Sequence, residues 1–126
     1  MKGLNWHLEG DRTAVTITFA TAPPVTATLA TKAVDDVLRN LGAFRAKMRP
    51  AAPPDWPPGQ QFEAIPDPRW VTEPEMMLGN SVLHIRDPRY GWLHYVLPRT
   101  SARKLGGLLT AQADAPMPVT PPGKTN

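Results

Sequence analysis

The stretch at 82–113, VLHIRDPRYGWLHYVLPRTSARKLGGLLTAQA, constrains this chain more than any other, because one turn inside it dictates what both flanks must do. Asp87, Pro88, Arg89, Tyr90 and Gly91 carry strong turn chemistry: Asp is favoured at the first position, Pro presets φ at the second, and Gly accepts a left-handed backbone at the exit. The runs at 82–86 and 92–97 are rich in aromatic and branched residues and are predicted to pair antiparallel. Pro98 stops the second run and suits the first turn of a helix, where its missing N–H is not needed. Ala102, Leu105, Leu108, Leu109 and Gln112 follow at helical spacing, so the leucine stripe should face the sheet. Gly106 and Gly107 each cost about 1 kcal/mol there relative to Ala. A tight approach to another backbone is one reason to keep them; a frayed C-terminal half of the helix is the other.

Upstream, a short strand at 6–9 turns at 10–13 into a second at 14–20, where Val15, Ile17 and Phe19 alternate with Thr16 and Thr18. Such period-two alternation marks a strand with one buried face. After a turn at Ala22, Pro23 and Pro24 the alternation resumes at 25–29, giving an apolar face of Val15, Ile17, Phe19, Val25, Ala27 and Leu29. Thr31 is placed as an N-cap, and Ala33, Val34, Val37, Leu38, Leu41, Phe44 and Met48 form an apolar stripe over about four helical turns. Asp35 and Asp36 near its start and Arg45, Lys47 and Arg49 near its end suit the helix dipole. Lys32 with Asp36, and Asp35 with Arg39, have the spacing of surface ion pairs.

Residues 50–68 hold seven prolines in nineteen positions and read as a polyproline-like connector, with Trp56 and Phe62 expected to pin it onto the body. A strand at 69–73 and a turn at 78–81 then lead back to the opening stretch. Adding 67 to a residue number maps Val25 onto Trp92, Leu29 onto Val96, Leu38 onto Leu105 and Leu41 onto Leu108, and each half opens on Trp-x-x-Glu, at Trp6 and at Trp70. The expected fold class is therefore α+β, as two β-β-β-α repeats related by pseudo-twofold symmetry. The expected organisation is one domain over 1–114, with repeats at 4–49 and 69–113 about the connector, and a disordered tail at 115–126. A chance match of two generic meander-plus-helix patterns is the alternative to a true repeat.

The absence of cysteine excludes disulfides and thiolate chemistry, and no apolar run is long enough to span a bilayer. With no apolar core of signal-peptide length at the N-terminus, the expectation is a soluble protein of the cytoplasm that engages no membrane. The net charge of +3 is uneven: +3 over residues 1–49, −4 over 50–83 and +4 over 84–126. Such asymmetry serves a polyanion, or lets basic and acidic parts of a self-associating chain meet.

No Gly-rich phosphate loop, G-x-S-x-G elbow or H-E-x-x-H motif occurs, so neither an enzyme nor a cofactor or metal is expected. Asp35 and Asp36 are helix neighbours that diverge, and Pro74 between Glu73 and Glu75 speaks for a sheet edge or a bend. His84 and His94 fall opposite one another if the hairpin pairs symmetrically about its turn, and a one-residue slip separates them. A metal there would need a third ligand, with His7 or Glu9 the guesses. The second surface is basic and aromatic: Arg86, Arg89, Tyr90, Trp92, Arg99 and Arg103, with His94, Tyr95 and Lys104 beside them. Aromatic faces that stack on bases, interleaved with cations for phosphates, are what single-stranded nucleic acid requires. Strand meanders each closed by a helix are similar in architecture to PUR-repeat and Whirly-type single-strand binders, though the likeness covers no sequence motif and transfers no residue.

The leading expectation is a non-enzymatic homodimer of a bacterium or phage that binds another protein, as an inhibitor or adaptor of a larger machine. The runner-up is a binder of single-stranded nucleic acid or a phosphorylated ligand, and an enzyme ranks third.

Overall fold

A computed structural model describes residues 3–117 of the chain. The order is β1 (Leu4–Leu8), β2 (Ala14–Phe19), β3 (Val25–Ala30), α1 (Thr31–Arg45), β4 (Trp70–Pro74), β5 (Ser81–Asp87), β6 (Gly91–Leu97) and α2 (Arg99–Asp114). The strands form two antiparallel three-stranded sheets, β1-β2-β3 and β4-β5-β6, each followed by its helix. This is an α+β fold of two β-β-β-α repeats. The chain divides into two compact units between Glu63 and Ala64, inside the proline-rich connector. Among the described residues no helix is long and apolar enough to cross a membrane. The part of the expected tail from residue 118 onward lies outside the described residues.

In the first unit the register pairs Trp6 with Ile17 and Ile17 with Ala27, so apolar residues of all three strands share one face. Threonines take the other: the hydroxyls of Thr16 and Thr28 lie 3.1 Å apart across the β2–β3 pair, and those of Thr18 and Thr26 lie 3.4 Å apart. The β1–β2 turn is held by Asp11, whose carboxylate accepts from the Thr13 N–H at 3.0 Å and its hydroxyl at 2.8 Å. Those two bonds hold the Asp11 carboxyl below the ordinary aspartate range, the backbone N–H contributing most.

Four local expectations are corrected here. Thr31 is not the cap: extended Ala30 is, and Thr31 turns both its N–H and its hydroxyl to the Thr13 carbonyl, at 3.2 and 3.3 Å. A strand that passes into a helix without a loop leaves its last residue as the cap and spends the next side chain on the neighbouring turn. The helix stops at Arg45, short of Met48. Arg39 pairs with Asp36 at 3.1 Å rather than with Asp35, while Lys32 pairs with Asp36 at 3.2 Å as its spacing predicts. Trp56 and Phe62 do not pin the connector down; they meet each other edge to face, centroids 5.4 Å apart, and stay 66% and 68% exposed. The connector stays largely in solvent, with Ile65 and Pro68 its half-buried residues.

In the second unit α2 runs unbroken through Gly106 and Gly107 to Asp114, with Pro98 as its cap. The Ala102 N–H closes the first turn on the Pro98 carbonyl at 2.8 Å. Apart from the neighbouring backbone of the helix itself, no atom lies within 4 Å of where a Cβ would stand on either glycine, so among the described residues neither a close approach of another backbone nor fraying accounts for them. Before β5, Glu75 caps the turn that follows β4: its carboxylate accepts the Met77 and Leu78 N–H groups, and Gly79 takes the positive φ of +71°.

Candidate functional site: a Glu-His-His row on one sheet face

The 87–91 turn governs the second sheet. Asp87 accepts the Arg89 N–H at 2.7 Å and its guanidinium at 2.9 Å, and Gly91 supplies the positive φ of +78° at the exit. Asp87 is the one buried polar residue among those described, 8% exposed, and the bonds from Arg89 hold its carboxyl below the ordinary range despite desolvation. The loop between Asp87 and Gly91 then leaves one register: Arg86 opposite Trp92, His84 opposite His94, Val82 opposite Val96. This is the register that symmetric pairing about the turn predicts.

The two imidazoles meet. Their Nδ1 atoms lie 2.7 Å apart, the rings nearly perpendicular with centroids at 5.0 Å. On the far side of His84, Nε2 lies 3.1 Å from Oε1 of Glu73. Glu73 comes from β4, two residues beyond Val71 of the Val71–His84 pair and so diagonal to His84 on the same face. Sequence reasoning named Glu73 but not in this role. Its place depends on the β4–β5 register, which six intervening residues do not dictate, whereas the β5–β6 turn dictates its own.

The protonation states follow from donor and acceptor counting. Ionised Glu73 only accepts, so His84 must carry its proton on Nε2. Neutral His84 then has a bare Nδ1, which requires the proton of His94 on its own Nδ1. Neutral His94 is left with a lone pair on Nε2, and that atom makes no hydrogen bond among the described residues. The row therefore orients one imidazole through another, as a carboxylate orients an imidazole in a hydrolytic triad. Protonated once, the pair still keeps both bonds. Protonated twice, it sets two N–H groups against each other and the Nδ1 contact must open. Among the described residues no group of three or more His, Cys, Asp or Glu side chains is placed to hold a metal ion. Glu73 and His94 contact opposite edges of the His84 ring rather than a common centre, and Glu9 accepts the Thr16 hydroxyl at 2.6 Å.

The basic and aromatic residues divide over several places. Arg86, Trp92 and His94 share the face of the Glu-His-His row. Arg89 and Tyr90 sit at the turn, the guanidinium 5.0 Å from the ring centroid, a cation–π contact. Arg99 and Arg103 ride on α2, and Arg99 lies beside Gly79, 3.6 Å from where its Cβ would stand. That helix approaches the opposite face of the sheet: Ala102, Leu105, Gly106 and Leu109 close a groove of about 550 Å³ against Trp70, Leu83 and Ile85. Tyr95, paired with Leu83, belongs to that face too. No protein-family model matches the chain, and no curated protein or solved structure is significantly similar to it.

Proposed function

We propose that the protein is a non-enzymatic interaction protein of the cytoplasm that works as a homodimer, docking on another protein through surface left over from self-association. One observation carries this reading: among the described residues no apolar side chain is buried. Trp6 is 61% exposed, Leu8 58% and Val25 55%, all on the apolar face of the first sheet, and Trp70 on the second is 64% exposed. The helix of the first unit meets its own sheet near its first turn, where Val34 faces Trp6, Leu8 and Val15 across a groove of about 350 Å³. Farther along, Leu41 and Phe44 stand 60% and 64% exposed. Contiguous apolar surface of this kind marks a contact for protein.

Magnitudes say how large that contact must be. A face of three strands and five residues has a footprint of roughly 240 Å², from spacings of about 4.8 and 3.3 Å. A stable interface takes about 800 Å² per partner. One sheet face is thus too small by itself, and self-association has to recruit a helix stripe or a strand edge as well. Mass measurement under native conditions tests the reading: a dimer at micromolar concentration is expected, and a monomer throughout that range removes it.

A second reading rests on the Arg86–Trp92 cross-strand pair, the one place among the described residues where a cation and an aromatic share a sheet face. It assigns this face to single-stranded nucleic acid, with affinity falling steeply as salt rises. Salt-independent binding, or none, removes it.

A further inference from the structure

We propose that β6 is the dimer seam, pairing antiparallel with β6 of a second copy about a twofold axis through His94. This rests on the homodimer reading above and assigns its contact surface. The starting point is a single backbone bond: the Arg86 N–H donates to the Arg69 carbonyl at 2.8 Å. Backbone groups of an antiparallel strand alternate in direction, so Val82, His84 and Arg86 bond toward β4, and Leu83, Ile85 and Asp87 bond toward β6. Leu83 pairs with Tyr95 and Ile85 with Leu93, so those β6 residues spend their N–H and C=O groups inward. Trp92, His94 and Val96 point theirs outward, along an edge with no neighbouring strand among the described residues of its sheet. The close approach of the two imidazoles fits this assignment, because directly opposed residues without mutual backbone bonds bring their side chains nearest.

The edge is unguarded. Natural edge strands carry charges, prolines or bulges against pairing. The β6 sequence, GWLHYVL, has no charge and no proline, and its register is unbroken over seven pairs. The opposite edge, β4, carries Glu73 and ends on Pro74. The outward residues are also self-complementary. They stand symmetrically about His94, so a twofold axis there sets His94 against its own copy and Trp92 against Val96 on either side. Each such pair exchanges two N–H···O bonds, six in all by the geometry of antiparallel ladders. Trp92 and Val96, now 44% and 59% exposed, would cover each other as aromatic–branched cross-strand pairs on one face. The two Glu-His-His rows would meet end to end at the axis, with the Arg86 side chains flanking them.

A proline at 96 separates this seam from other modes of association. Val96→Pro deletes one outward N–H per copy and leaves the inward bonds to β5 untouched, as an edge proline does. Val96→Thr keeps the N–H and serves as control. Native mass spectrometry over a dilution series should show dimeric wild type and Val96→Thr, with the dimer dissociation constant of Val96→Pro raised about 100-fold for the bonds lost and the carbonyls left unpaired. A Val96→Pro dimer of unchanged affinity overturns the seam while the homodimer stands; a wild type monomeric at every concentration overturns both. If the proline variant does not fold, residue-resolved amide exchange on the wild-type dimer decides. Slow exchange at Trp92, His94 and Val96 that turns fast on dilution supports the seam, and fast exchange there in the intact dimer overturns it.

Discussion

Asp87 fixes the turn from which the register of β5 and β6 follows. Its carboxylate is held below the ordinary aspartate value chiefly by the Arg89 side chain, against desolvation. A folded-state pKa that is depressed means the charged form is favoured by folding. The stabilisation is complete above the unfolded value of about 3.9 and is lost as pH falls through the lower folded value. Asp87→Asn should therefore lower the thermal midpoint at neutral pH, with the gap to wild type closing in acid as wild-type Asp87 protonates. Circular dichroism melts at a series of pH values read this directly; a gap independent of pH shows that the charge contributes nothing. The turn and the antiparallel pairing of its flanks were legible in the sequence, because Asp-Pro-x-x-Gly admits few geometries; His84 facing His94 was legible only on condition of the register, since a one-residue slip separates them. Glu73 as their third member was not, since a six-residue connection with one glycine admits several registers. Thr31 departs from its expected role for a related reason: a good N-cap residue is used as one only where the preceding strand ends early enough, and β3 runs to Ala30.

At the level of elements, the strands follow from alternation and the helices from apolar spacing, and the repeat could be read from how the two patterns superpose. The partners of the helices could not. An apolar stripe says that a helix buries one side, not against what, and here α1 meets its own sheet mainly at its first turn. The glycines of α2 sharpen the point. Gly106 lines the groove against the second sheet, while Gly107 does not. Since no atom apart from the neighbouring backbone of the helix itself stands within 4 Å of either Cβ position, Gly107→Ala should stabilise the protein by about 0.5–1 kcal/mol, the helix-propensity difference alone. Urea denaturation would show a higher midpoint with an unchanged slope. A destabilised Gly107→Ala would mean that this side of the helix lies against something outside the described residues.

For the whole molecule, the decisive quantity is how much apolar surface a single copy leaves in water. A chain of 126 residues is long enough to bury roughly two thirds of the surface its unfolded form exposes, yet no apolar side chain among the described residues is buried. Conformational entropy opposes folding by about 1–2 kcal/mol per residue whether or not that surface is covered. Burial returns only about 25 cal/mol per Å² of apolar area. Under the proposed homodimer, folding draws on association, and stability is tied to protein concentration. For a folded dimer in equilibrium with unfolded monomer, each tenfold rise in protein concentration adds about 1.4 kcal/mol per mole of dimer. With a urea slope on the order of 2 kcal/mol per molar, a hundredfold concentration range should move the unfolding midpoint by roughly 1 M or more. Under the proposed seam, Val96→Pro should lower that midpoint at every concentration and Val96→Thr should not. A wild-type midpoint constant over the same range would mean that the exposed faces are covered within one copy, and would transfer the interaction surface from a second copy of this chain to a different partner.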